Sequence, residues 1–104
     1  MYYYFWKEVG IDIEQVSDKS LQLKEKFINS HHTKLNKEKS TLIWCIKESV
    51  FKFHVIGNVD FIKDISIPEF TLKDRGEMDI SFKNNTLKSY YFKVKNSYLS
   101  YVCK

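Results

Sequence analysis

Apolar and polar positions follow two rhythms along this chain. Between Ser17 and His32, Leu23, Phe27 and Ile28 recur at helical spacing beside Lys24, Glu25 and Lys26, and Ser17 or Asp18 is placed to cap, so the segment predicts a helix. The polar run "SHHTKLNKEKS" that follows predicts a loop or a second short helix. From Thr41 onward an alternation with a period of two takes over, punctuated by turn residues.

Two stretches fit both rhythms. The opening "MYYYFWKEVG" supports a strand with Tyr2, Tyr4 and Trp6 on one face and Tyr3 and Phe5 on the other, or a helix through Tyr2, Phe5, Trp6 and Val9; the β-propensity of aromatic residues favours the strand. The stretch "TLIWCIKES" supports a helix through Leu42, Ile43, Ile46 and Val50, or a strand facing Leu42, Trp44 and Ile46 one way. A hairpin through Lys47 to Ser49 would join such a strand to Phe51, Phe53 and Val55, which alternate with Lys52 and His54, and this favours the strand again.

The rest reads as a meander. Gly57-Asn58 makes a reversal, Phe61, Lys63, Ile65 and Ile67 lead to Pro68, and Phe70 and Leu72 lead to a turn at Asp74-Arg75-Gly76. Strands through Met78 to Phe82, Tyr90 to Val94 and Leu99 to Cys103 follow, with turns at Asn84-Asn85 and Lys95-Asn96, and with Tyr90, Phe92 and Val94 toward the core. The expected fold is α+β, one or two N-terminal helices packed on an antiparallel β-meander of about five to seven strands. With no repeat and no linker rich in Gly, Pro or Ser, residues 1–104 are expected to form a single compact domain.

Composition narrows the function classes. No stretch has the apolar length of a membrane span or the layout of a secretory signal, so a cytoplasmic location without membrane contact is expected. The two cysteines, Cys45 and Cys103, sit in apolar surroundings that suit free thiols. The net charge is +4, from sixteen lysines and the single Arg75 against thirteen acids. Lysine gives point charges without the bidentate geometry of arginine, so the surface is basic without the marks of a sequence-reading protein. The chain has no alanine and is rich in residues with AT-rich codons, as small accessory bacterial and phage proteins often are.

Candidate chemistry is sparse. Asp12 and Glu14 in "GIDIEQV" share one face of a possible strand, where paired carboxylates can bind a divalent ion or divide acid and base roles, although such pairs are common on solvated faces. The cysteines and histidines show no metal-ligand spacing, and there is no Gly-rich phosphate loop and no nucleophile elbow; no cofactor, metal or catalytic residue is expected. The expected function is therefore a non-catalytic protein-binding module, an immunity- or antitoxin-type inhibitor that neutralises a cognate bacterial toxin. Its contact residues would be Tyr2, Tyr4 and Trp6 with the acidic positions Asp12, Glu14, Asp60, Asp64, Glu77 and Asp79. A first alternative is an RNA- or nucleic-acid-binding protein using Lys83, Lys88, Tyr91, Lys93 and Lys95, from a segment, 83–104, that contains five lysines and no acid. A second is a small metal-independent ribonuclease toxin using His31 or His32 with His54.

Overall fold

The computed structural model describes residues 9–54 and 58–104, so the expected strand at Tyr2–Trp6, Val55 and the turn residue Gly57 lie outside the described residues. The architecture is α+β, one long helix and one short helix packed on a curled antiparallel sheet. Strands β1 (Val9–Gln15), β2 (Ile65–Ser66), β3 (Arg75–Phe82), β4 (Asn85–Val94) and β5 (Ser97–Cys103) lie in the order β1-β5-β4-β3-β2, every neighbouring pair antiparallel. The second hairpin turns where expected, at Lys95-Asn96, and the first turns one residue early, at Lys83-Asn84. Lys83 (φ 55°) and Lys95 (φ 56°) take the left-handed conformation that such tight turns require.

The main departure is at residues 37–53. The segment expected to form a strand, a hairpin and a second strand is a single helix, α2 (Lys37–Phe53). Asn36 caps it, its Oδ1 accepting from the Lys39 amide at 2.8 Å, and Glu38 lies in the first turn, where the helix dipole favours an acid. Its Thr, Ile, Trp and Val content favours a strand locally, but 17 residues at a 3-to-4 spacing of Leu42, Ile43, Ile46 and Val50 bury a continuous stripe, and tertiary packing overrides propensity. Each of those four side chains is fully buried, worth about 1.5–3 kcal/mol apiece.

The first helix is shorter than expected. α1 (Asp18–Gln22) gives way to a 3₁₀ turn at Lys24–Lys26, and Ser17 makes no side-chain cap, yet Phe27 and Ile28 of the expected stripe are buried. Further on, the only strand between Phe61 and Leu72 is the two-residue β2, which stops before Pro68. The expected turn at Asp74-Arg75-Gly76 is instead the entry to β3.

The facing of β4 is the reverse of the expectation. Tyr91 is buried, while Phe92 (37% exposed) and Val94 (45%) look outward. Register sets this phase: Tyr91 pairs with Ser100 and Gly76 on the inner face, under α2, while Phe92 pairs with Leu99 and Arg75 on the outer one. The outer face of β1, β5 and β4 consequently carries exposed Ile11, Ile13, Phe92 and Val94 beside the stacked rings of Tyr90 and Tyr101, whose centroids are 4.9 Å apart.

Candidate active site

The inner face of β1 presents Gly10, Asp12 and Glu14, two residues apart, to the side of α2 that carries Ser49 and Lys52. Gly10 makes that approach possible. A Cβ there would lie 2.0 Å from the Ser49 carbonyl oxygen and 2.6 Å from the Phe53 nitrogen, so main chain packs on main chain. Side chains stitch the contact on either side: Cys45 Sγ donates to the carbonyls of Asp12 (3.3 Å) and Tyr98 (3.4 Å), and Ser49 Oγ pairs with the Ser100 hydroxyl and with the Cys45 carbonyl at 2.9 Å.

This packing gathers three carboxylates and one ammonium. Asp12 is buried; its Oδ1 accepts from Lys52 Nζ at 2.6 Å, and its Oδ2 is buried with no hydrogen-bond partner among the described residues. Burial, a hydrogen bond shared with Asp12, and the charges of Asp12 and Glu48 raise the Glu14 carboxyl from 4.5 to about 7. Burial and the Asp12 charge also raise Glu48, and the hydrogen bond to Asp12 raises Lys52. The three acids outnumber the single cation, and one of their oxygens is left unsatisfied in a dry position. Such a group draws in positive charge.

A cavity of about 680 Å³ opens beside the cluster. Glu14 lies on its wall, Phe27, Trp44 and Phe61 form its apolar lining, and Lys19 and Lys26 stand at its exposed rim. The rings interlock, Phe27 edge-on to Trp44 at 5.1 Å and Phe61 tilted against Trp44 at 5.5 Å. Through Glu14 the cluster therefore adjoins a space with apolar walls and lysines at its mouth.

The other candidate residues fall elsewhere. Asp60 Oδ1 accepts from the amides of Ile62 and Lys63, and Asp64 Oδ2 accepts from the Asp60 amide, so this pair shapes a turn, although Asp60 also reaches the cavity wall. Glu77 and Asp79 are on the exposed face of β3, where Asp79 pairs across the ladder with Lys88 at 2.7 Å. The basic group does not form the expected patch, because Tyr91 is buried, Lys83 and Lys95 occupy the two hairpin turns, and Lys88 and Lys93 point to opposite faces of β4. His31 and His32 lie side by side, ring centroids 4.2 Å apart, His31 held by the Ile67 carbonyl (2.7 Å) and His32 by Glu69 (3.1 Å), with burial lowering the His32 pKa. His54 packs on Phe82 instead. Tyr2, Tyr4 and Trp6 are outside the described residues.

Of the expected contact residues, then, only Asp12 and Glu14 meet in the cluster, and Glu48 and Lys52 join them unforeseen. Read as a helix, "IWCIKESVFK" places these two one turn apart, and that spacing is the one signal the sequence offers for them.

The fold and this group of side chains define an α+β protein in which a partly buried carboxylate–lysine cluster adjoins an apolar cavity through Glu14. A family model described as "ACPS: 4'-phosphopantetheinyl transferase superfamily" matches residues 8–103, nearly the whole chain, and the chain belongs to that superfamily. No curated protein and no solved structure gives a significant match. Membership corrects the functional expectation: this is a family of transferases, not of immunity proteins or antitoxins, and the partners it implies are carrier proteins and CoA in place of a cognate toxin. The expectation fails at Asp12 and Glu14, which look like a solvated pair as long as the helix that buries Asp12 is taken for strands. Among the described residues no helix is long and apolar enough to cross a membrane.

Proposed function

We propose that the chain transfers 4'-phosphopantetheine from CoA to a hydroxyl group of a carrier protein. The hydroxyl oxygen attacks the phosphorus bearing the pantetheine arm, a new P–O bond forms as the pyrophosphate bond to the nucleotide breaks, and the hydroxyl gives up its proton. The observation that carries this reading is the buried, unpartnered Asp12 Oδ2 set among Glu14, Glu48 and Lys52, with Glu14 on the wall of the cavity.

Each residue's role follows from its position. Glu14, on the cavity wall, is placed to take the hydroxyl proton. Lys52, half-exposed and anchored on Asp12, meets the phosphate oxygens as charge builds on them. The aromatic walls accept the apolar stretches of the pantetheine arm, and Lys19 and Lys26 at the rim attract the anionic nucleotide. Asp12 and Glu48 offer two hard oxygen ligands of the kind Mg²⁺ takes; among the described residues no group of three such side chains could hold an ion, so water and the substrate's phosphates would have to complete its shell. Bound there, the ion would neutralise charge on the transferring phosphoryl group. The unpaired thiols of Cys45 and Cys103 suit a reducing compartment, and we place the reaction in the cytoplasm.

The test is transfer from CoA to an apo carrier protein, followed as a mass gain on the carrier with Mg²⁺ present. Glu48→Gln and Lys52→Ala should each lower kcat about 10²–10³-fold with the fold intact by circular dichroism. Wild-type protein that modifies no member of a panel of carriers would overturn the reading.

A further inference from the structure

The side chain of Lys47 is fully buried, yet among the described residues no carboxylate forms an ion pair with it. Its ammonium donates instead to three neutral oxygens, the Phe27 carbonyl (2.6 Å), the Phe61 carbonyl (2.6 Å) and Asn29 Oδ1 (2.9 Å). A buried charge without a counter-ion is costly, and it is tolerated here because all three N–H groups are used. An apolar residue at this point of α2 would be cheaper for the helix alone.

The partners show what the charge does. Phe27 and Phe61 belong to separate segments with little regular structure, the one leaving the 3₁₀ turn at Lys26 and the one leading to β2. Few ladder hydrogen bonds fix these segments, and Asn29 Nδ2 adds a link between them by donating to the Ile62 carbonyl at 3.1 Å. Phe27 and Phe61 are also the two rings that flank Trp44, which sits three residues before Lys47 on the same helix. One ammonium therefore ties both aromatic walls of the cavity to the helix that carries Glu48 and Lys52.

We propose that Lys47 is a positioning residue that clamps the Phe27 and Phe61 segments onto α2 and thereby sets the width of the cavity that receives the donor's aliphatic amide arm. The ligand assignment rests on the transferase reading; the clamp itself does not. The geometry calls for lysine in particular, since three oxygens arranged around one point match a tetrahedral ammonium and not the planar fork of arginine.

The experiment uses the full chain with Trp6→Phe, which leaves Trp44 as its single tryptophan. In this background Lys47→Met should red-shift Trp44 emission and raise its quenching by acrylamide, because the walls part and admit solvent. Asn29→Ala, which removes one of the three acceptors, should shift both readings the same way by less. In transferase assays Lys47→Met should raise KM for CoA about tenfold with kcat nearly unchanged, whereas Lys52→Ala lowers kcat. Unaltered Trp44 emission and quenching in folded Lys47→Met overturn the clamp; if that variant does not fold, unaltered readings in Asn29→Ala do so. Altered Trp44 readings with kcat reduced and KM unmoved overturn the link to the binding cavity. Absence of transferase activity in the parent protein counts against the function while leaving the fluorescence test of the clamp in force.

Discussion

Replacing Glu14 with glutamine should make the protein more stable at neutral and alkaline pH while impairing the chemistry. The carboxyl is raised from 4.5 to about 7 by burial and by Asp12 and Glu48, so between those values the folded protein holds a proton that the unfolded chain has released. Stability linked to this group is fully present below about 4.5, falls as pH rises toward 7, and beyond that the folded state bears the whole repulsion. At full strength the difference corresponds to about 3 kcal/mol. The side chain is only partly buried and solvent screens it, so about 1–2 kcal/mol is the expected size. Glu14→Gln removes the charge while keeping the size and shape of the side chain. Urea unfolding in chelator-containing buffer, repeated from pH 4.5 to pH 8, reads this directly. The two proteins should match at the acid end, and the variant should gain about 1–2 kcal/mol at pH 8. Equal pH dependence in both, or a variant weaker than wild type at pH 8, would refute the electrostatic account of the site.

Two further outcomes follow from the same contacts. Gly10→Ala should destabilise the fold by about 3 kcal/mol or more, since the added methyl meets helix main chain at 2.0 Å, and thermal melts should fall by roughly 10–20 °C; a loss under 1 kcal/mol would show that β1 and α2 can separate freely. Cys45, buried, with its thiol pushed up to about 12 by that burial, should resist a thiol reagent in native protein at pH 8, while half-buried Cys103 reacts and both react in denaturant; two fast native thiols would contradict the packing around Cys45.

Much of the sheet can be read in the chain because hairpin turns and alternation are local signals. Asn84 and Lys95-Asn96 mark both reversals, and the strands between them form. What alternation leaves open is which of two faces is inner, and in β4 the aromatic run "YYF" fits either phase, so only pairing with Ser100 and Gly76 under α2 can bury Tyr91 and expose Phe92. Residues 41–53 mislead for a related reason: β-branched and aromatic side chains suit strands, and the competing 3-to-4 spacing wins only once the sheet is present to cover the helix. That ambiguity hides the site. Asp12 and Glu14 stand out as a pair, but a strand reading puts their partners Glu48 and Lys52 in a turn and in the next strand, and no local signal carries Asp12 across to a helix residue 40 positions away. Lys47 is illegible for the same cause, being an ordinary surface lysine until two segments close around it.

Helix α2 carries Trp44, Lys47, Glu48 and Lys52 within little more than two turns, and it is the most deeply buried element of the fold. Its amides should therefore exchange with solvent only when the entire molecule opens, so the chemistry sits in the last part of the protein to come apart. The segments around Phe27 and Phe61 lack a regular hydrogen-bond ladder, and they meet α2 through the Lys47 ammonium and through the rings that pack on Trp44. A protein built this way divides its labour by timescale: a fixed reactive centre, and a wall held to it by one polar clamp and a few aromatic contacts.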